Sequence, residues 1–346
     1  MVRTLAISFA LALSVITGFA QSPAAPSVDI SNGVLSATLY LPDAARGFYR
    51  GTRFDWSGVI GRLIYSGHNF HGPWFTRFDA GVRDFNYEGS DIVAGPQSAI
   101  VGPVEEFSTD GQGLGFADAP AGGTFVKIGV GVLRKPADGA AYSMFRSYDV
   151  VDAGTWNVAT TPESVTFSHD LGADASGYGY HYEKTVRLVP GKAEMIIDHR
   201  LTNRGTRPIV STVYNHNFLV LDGLPPGPDF TIDAPFAWQT PRPLDPAMAT
   251  IDGTRFRYTK TLVDRERVST PFQGFGPTAA DYDFRIEHRA AGVGMRITAD
   301  RPLSSLALWS IRSVLSLEPF IAMTIAPGQE FTWRYTYQYY SLPARQ

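Results

Sequence analysis

QEFTWRYTYQYY, residues 329–340, alternates without a break. Phe331, Trp333, Tyr335, Tyr337 and Tyr339 fall on one side of an extended chain, with Thr332, Arg334, Thr336 and Gln338 on the other. Side chains two residues apart share a face of a strand, whereas a helix would scatter these five rings around its circumference. The stretch predicts a long strand with one buried, aromatic face. The same period recurs upstream. TFVKIGVGVLR (124–134) puts Val126, Ile128, Val130 and Val132 on one side, and EKTVRLVPGKAEMIIDHRLTN (183–203) reads as two strands turned at Pro190-Gly191-Lys192. Similar runs occupy 33–41, 48–65, 142–150, 207–215, 282–288, 293–298 and 303–310, with Gly and Pro between them. No stretch of twelve or more residues sustains a helical period. The expected fold is all-β, a large antiparallel β-sandwich. No repeat or linker divides the chain, and strand patterns continue on both sides of the sharpest loop, LDGLPPGPD (221–229). Residues 30–346 are therefore expected to form a single domain.

The first twenty residues, MVRTLAISFALALSVITGFA, carry one charge, Arg3, ahead of an apolar run, and end in Gly18-Phe19-Ala20. That pattern predicts a cleaved signal peptide over 1–20, because the apolar run is too short to span a bilayer. QSPAAPS then opens an expected flexible leader over 21–29. The protein is accordingly expected in the periplasm or secreted, with no membrane span. There is no cysteine, so an exported chain of this kind stands on its core without disulfides. A net charge of −3 with no basic run argues against nucleic acid and against strongly polyanionic substrates. Oligomeric state stays open between monomer and homodimer, since edge strands leave pairing possible.

One segment breaks the apolar rule. In STVYNHNFLVLDG (211–223), Tyr214, Asn215, His216 and Asn217 stand in succession before Phe218-Leu219-Val220-Leu221. An unsatisfied buried polar group costs a few kcal/mol, about 1–3 by mutation, so either a hydrogen-bond network or a ligand requires these four. His216 is a candidate general acid or base, as the side chain that titrates nearest neutral pH; equally it could be a structural histidine satisfied by its asparagine neighbours. Glu318 closes the apolar run Val314-Leu315-Ser316-Leu317 before Pro319. Desolvation there would raise its pKa and suit it as a base, while pairing with Arg312 would make it structural.

Taken together, these two segments carry a resemblance. RLTNRGTRPIVSTVYNHNF (200–218) resembles the strand and N-H-x-x-F signature of galactose mutarotase (aldose 1-epimerase) relatives, and LSLEPF with IAPGQEFTWRYTY resembles their C-terminal L-E-P and P-G-E stretch. GTRFDWSGVIGRL (51–63) is similar to the family's early strands. The resemblance implies the galactose mutarotase-like supersandwich and a reaction that opens and recloses a pyranose at its anomeric carbon. It places the acid on His216 and the base on Glu318, and it implies no cofactor and no metal. Asn215 and Asn217 could then orient His216 or bind sugar hydroxyls.

The family's L-H-G-G element and downstream aspartate have no counterpart in place. SGHNFHGPWF (66–75) offers His68 and His71 instead, with Arg53 nearby in sequence, and these are candidate substrate-binding residues. Their H-x-x-H spacing is a weak metal motif without a third ligand. Trp238 could stack on a sugar face, or simply pack. GPVEEFSTDGQGLGFADAPAGG (102–123) matches nothing in the family pattern. The expected partner is a mono- or oligosaccharide. The alternatives are a polysaccharide lyase or hydrolase on the same fold, or a non-catalytic glycan-binding protein. A lyase acting on uronic acids should show a basic groove, which the overall charge does not suggest.

Overall fold

A computed structural model describes residues 25–343. The expected signal peptide and the start of the leader lie outside the described residues. Among those described, the chain forms 25 strands, one 3-10 turn at Ala279–Asp281 and no α-helix. The fold is all-β. Its larger layer is a ten-stranded antiparallel sheet ordered Thr155–Thr160, Ser164–Leu171, Tyr180–Leu188, Glu194–Asn203, Glu330–Ser341, Val293–Ala299, Asp283–His288, Phe230–Asp233, Arg255–Tyr258 and Ala249–Asp252. The second layer is a five-stranded antiparallel sheet ordered Arg267–Phe272, Ser305–Ile311, Val314–Ile325, Ile209–Leu219 and Pro103–Ser108. Three small sheets complete the structure.

The aromatic strand behaves as its period demands. It lies at the centre of the large sheet, between Glu194–Asn203 and Val293–Ala299. Trp333, Tyr335, Tyr337 and Tyr339 are buried in one core with Val213, Ile321 and Met323 of the five-stranded sheet. Burying each such ring contributes about 1.5–3 kcal/mol.

The five-stranded sheet differs because part of its outer face is covered as well. Val213, Leu219, Leu315 and Leu317 belong to the core shared with the large sheet. Tyr214, Phe218, Val220 and Val314 point the other way, into a second core with Phe54, Trp74, Ile100 and Val101. Strands buried on both sides read as continuous apolar runs rather than alternating ones, as Phe218-Leu219-Val220-Leu221 does, whereas 318–325 alternates between buried and more exposed positions.

Several boundaries depart from expectation. The run 124–134 is not one strand but a hairpin, Thr124–Lys127 and Gly131–Arg134, closed by Val130 N–H donating to Lys127 O at 3.1 Å. Gly129 makes the turn at φ +77°, so close to Asp55 that a Cβ would lie 2.6 Å from its carboxylate. Within 48–65 only Val59–Tyr65 is strand. Residues 48–58 instead form an irregular buried segment, in which Phe54 N–H donates to Tyr49 Oη at 3.2 Å. Only Val150 of 142–150 is strand, because the Tyr142 and Tyr148 rings stack at 5.5 Å and hold a loop. The leader gives way to strand at Ser27, paired with Leu35–Tyr40.

Candidate functional site

The strand Ile209–Leu219 sorts its polar residues by face. Asn215 and Asn217 turn towards the large sheet: Asn215 Nδ2 donates to Tyr337 Oη at 2.6 Å, Tyr337 Oη donates to Asn217 Oδ1 at 2.7 Å, and Asn217 Nδ2 donates to Leu317 O at 2.8 Å. They tie the two layers together and lie away from any cavity. Tyr214, His216 and Phe218 face the other way, and there a cavity of about 190 Å³ opens.

His216 forms part of the cavity floor with Glu318, their Nε2 and Oε1 atoms 3.2 Å apart. The register that pairs Tyr214 with Phe320 and Asn217 with Leu317 sets the two residues directly opposite. The ladder lapses between those pairs, where Pro319 has no N–H to give. Ser316, one residue pair along the same face, places its Oγ 2.6 Å from His216 Nδ1. Phe218 stacks flat on the imidazole at 3.7 Å, and Phe54 and Trp309 meet it edge-on at 5.7 and 5.9 Å.

These surroundings set the charges. Burial, with the nearby Arg53 cation, holds the imidazolium of His216 well below its usual range, so the ring is neutral at pH 7. Burial pushes the Glu318 carboxyl up to about 7; Arg53 opposes that rise and Glu106 reinforces it. An ionised Glu318 facing Nε2 selects the tautomer with the proton on Nε2, which leaves Nδ1 to accept from Ser316. Floor and pair therefore present one carboxylate poised between its two forms and one neutral N–H donor.

Arg53 closes one side. Its Nε donates to Glu106 Oε2 at 2.7 Å and Nη2 to Tyr214 Oη at 2.9 Å, and its guanidinium lies 4.4 Å over Phe54 and 5.1 Å from Phe145. Tyr214 Oη donates to the same Glu106 oxygen at 2.6 Å, and Lys127 Nζ reaches the other at 3.2 Å. Trp74, Phe85, Trp309 and Ala307 supply apolar wall, and Asp84, Ser98 and Ser269 supply polar groups. Burial raises the Asp84 carboxyl, which accepts from Ser98 Oγ.

Of the residues singled out in the sequence, His216, Glu318 and Arg53 converge. The others do not reach this cavity. His68 pairs at the surface with Asp222 at 2.6 Å, whereas His71 is fully buried, its Nδ1 donating to Phe218 O at 3.1 Å, so the H-x-x-H side chains diverge. Burial pushes His71 down to about 4. Trp238 is core, donating to Thr254 O at 2.8 Å and packed on Phe272 and Phe284. Arg312 does not pair with Glu318; it donates to Asp264 O and Ser90 O. Among the described residues, no group of three His, Cys, Asp or Glu side chains is gathered as a metal ion requires, and no helix is long and apolar enough to cross a membrane. Sequence reasoning missed Asp84, Trp309, Ser316 and Glu106. Ser316 and Glu106 had a signal available, since each is a polar residue on the cavity face of a buried strand.

Neither a protein-family model nor a curated protein sequence matches the chain. Solved structures do. A candidate aldose 1-epimerase from Escherichia coli K12 superposes with TM-score 0.53 at 14% identity, over 91% of this chain and 99% of that one. A galactose mutarotase related enzyme from Lactobacillus acidophilus gives 0.51 at 12% identity, over 92% and 99%. A galactose mutarotase-like protein from Clostridium acetobutylicum gives 0.51 at 9% identity, over 91% and 95%. The chain has the galactose mutarotase-like fold.

Proposed function

We propose that the protein is an exported, aldose 1-epimerase-like enzyme that interconverts the anomers of a sugar by acid–base ring opening, in the periplasm or outside the cell. The observation that carries this reading is the His216–Glu318 pair on the floor of a partly aromatic cavity, 3.2 Å apart, with the carboxyl raised to about 7. In a pyranose the anomeric hydroxyl oxygen and the ring oxygen hang on one carbon. Two groups this close can address both at once. Ionised Glu318 takes the hydroxyl proton while His216 Nε2–H hydrogen-bonds to the ring oxygen. The proton held by Glu318 then passes to that oxygen, so that the imidazole stays neutral. The C1–O5 bond breaks as the carbonyl forms. Rotation of the open aldehyde by half a turn, followed by the reverse transfers, recloses the ring as the other anomer. The reaction is redox-neutral and the proton count balances within the pair. A neutral imidazole works here as a hydrogen-bonding acid, because the ring oxygen gains its negative charge only as the bond breaks. Rings such as Trp309 and Trp74 suit the apolar faces of a sugar.

The test is saturation-transfer NMR of anomer exchange across a panel of free aldoses, with the protein and its Glu318→Gln variant. Acceleration that vanishes in the variant is the expected result. A folded protein that accelerates exchange of no aldose would overturn the reading and return attention to glycan binding or cleavage.

A further inference from the structure

The cavity over His216 adjoins two larger compartments. Phe85 walls both it and a second compartment of about 650 Å³, and Ser269 walls both it and a third of about 570 Å³. Those two outer compartments share Asp245, Met248 and Arg267. A ligand seated over the pair therefore has the outer compartments next to it, behind Phe85 and Ser269.

The charge around these compartments is not that of the whole chain. Arg265 and Arg267 line the second compartment and Arg242 the third. Arg312 stands at 4.7 Å over the ring of Tyr87, which lines the second compartment, and Arg265 reaches the same ring at 5.8 Å. Among the described residues, none of these four arginines has a carboxylate within ion-pair distance. The acids present are engaged elsewhere: Glu266 holds Lys260 at 2.6 Å and accepts from Val263 N–H, and Asp245 accepts from Ala247 N–H. Arg312 is fixed by two backbone acceptors, Asp264 O at 2.5 Å and Ser90 O at 2.6 Å, so its charge is held in place before any ligand arrives. Arg267 also acts on Asp84 inside the cavity, so the arginine field reaches the inner compartment.

We infer that the inner cavity and the compartments beside it together take a saccharide carrying an anionic group, a carboxylate or a phosphate or sulfate ester, outside the ring that sits over His216 and Glu318, and that Arg265 and Arg267 receive that group, with the fixed charge of Arg312 behind Tyr87. The inference rests on the saccharide reading of the inner cavity. A planar guanidinium without a partner binds carboxylate or phosphate through two parallel hydrogen bonds, the stronger class of such bonds. The overall charge of −3 says nothing against this, because the arginines are brought together from residues 265–267 and 312 and act over a few ångströms.

Calorimetric titration separates the possibilities, using galactose, galacturonate, glucose and glucose 6-phosphate against the protein and its Arg265→Ser/Arg267→Ser double variant, both sites being exposed. The expected result is that each acidic sugar binds about tenfold or more tightly than its neutral counterpart at low salt. That preference should shrink to within about twofold in the double variant, and likewise at about 0.5 M NaCl, where charges are screened within a few ångströms. Whichever acidic sugar gains more identifies carboxylate or phosphate as the source. Equal binding of neutral and acidic sugars overturns the inference, as does a preference that survives in the double variant. Glu318-dependent anomer exchange without any acidic preference overturns this inference alone. Arginine-dependent binding of acidic sugars without anomer exchange upholds it and removes the proposed reaction instead.

Discussion

Glu105 and Glu106 are neighbours on the strand Pro103–Ser108, both almost wholly buried, and they face opposite ways. Glu105 enters the core between the layers, where it binds Lys184 and, at 2.9 Å, His199 Nε2. Lys184 also donates to Ser57 O at 2.9 Å, while Tyr182 and Ser57 donate to Asp55 at 3.1 and 2.6 Å. Burial alone would raise the Glu105 carboxyl, but Lys184 and His199 outweigh it and hold it down at about 2. For Asp55, burial prevails over Lys184 and pushes it up to about 6. Glu106 instead meets Arg53, Tyr214 and Lys127, and through Arg53 it borders the cavity. One centre is sealed and its charges are spent on one another. The other holds its cation beside an open volume, with an acid–base pair on the floor. Buried charge alone does not mark a site; buried charge with room beside it does.

The largest expected effect breaks the comparison from the cavity side. His216→Gln should lower anomer exchange by about 10²–10⁴, the usual worth of one positioned acid or base, and leave the unfolding free energy within about 1 kcal/mol of the parent. Exchange rates and denaturant melts on the same preparation test both halves. A variant that melts early while keeping its rate per folded molecule would make His216 structural.

Glu105→Gln should do the reverse. Removing one partner from a buried ion network leaves Lys184 under-compensated, at a cost of about 3–5 kcal/mol, visible in urea or thermal unfolding. The exchange rate per folded molecule should not change, since Glu105 touches nothing that lines the cavity. A large loss of rate at full stability would merge the two centres into one.

How much of this contrast could be read in the sequence depends on which signals are local. The aromatic strand 330–341 and the hairpin around Pro190-Gly191 were legible because a two-residue period and a turn residue need no tertiary information. His216 and Glu318 were legible as polar residues interrupting apolar strands. Which face each polar residue takes follows from alternation too, and it separates Asn215 and Asn217 from Tyr214 and His216. That a second core covers part of the outer face, however, depends on residues 48–58 and 70–104 folding back over it. Residues 48–58 are irregular, and the strands Arg77–Phe78, Phe85–Glu88 and Asp91–Ala94 are too short for a period to be read. Glu105 and Glu106 fell in the segment 102–123 that matched no family pattern. The arginines around the outer compartments escaped for the same reason: residues 265–267 and 312 come together only through sheet pairing, in which Arg267 stands opposite Ile311.

Arg53 links the two halves of the open centre, and pH dependence measures the link. The base form of Glu318 is the deprotonated one, so the exchange rate should rise with pH through about 7 and then level off. No rising limb from His216 should be superimposed, since its imidazolium is not populated there. Arg53 is the charge that opposes the upward shift of Glu318, and Glu106 reinforces it. Arg53→Gln removes the first and keeps the second, so the rise should move to higher pH. A rate profile from pH 5 to about 10 reads the direction, with near-ultraviolet circular dichroism to confirm packing. Movement to lower pH would mean that Glu318 does not feel Arg53 as the geometry requires.

The smallest effect concerns Ser316, the only hydrogen-bonding partner of His216 apart from Glu318 among the described residues. If Nε2 carries the proton, Ser316 Oγ donates to Nδ1 and strengthens no charge, because the ring is neutral. It only holds the tautomer and the ring angle that Phe218 already fixes from one side. Ser316→Ala should therefore cost a single neutral hydrogen bond, about three- to tenfold in kcat with KM nearly unchanged. The ring nitrogen signals in ¹⁵N NMR should show the two tautomers mixing where the parent shows one. A loss as large as that of His216→Gln would mean that His216 is charged when it acts and needs Ser316 as an acceptor. The neutral-donor chemistry would then give way to imidazolium catalysis, and the buried pair would owe its function to the ligand's own effect on that charge.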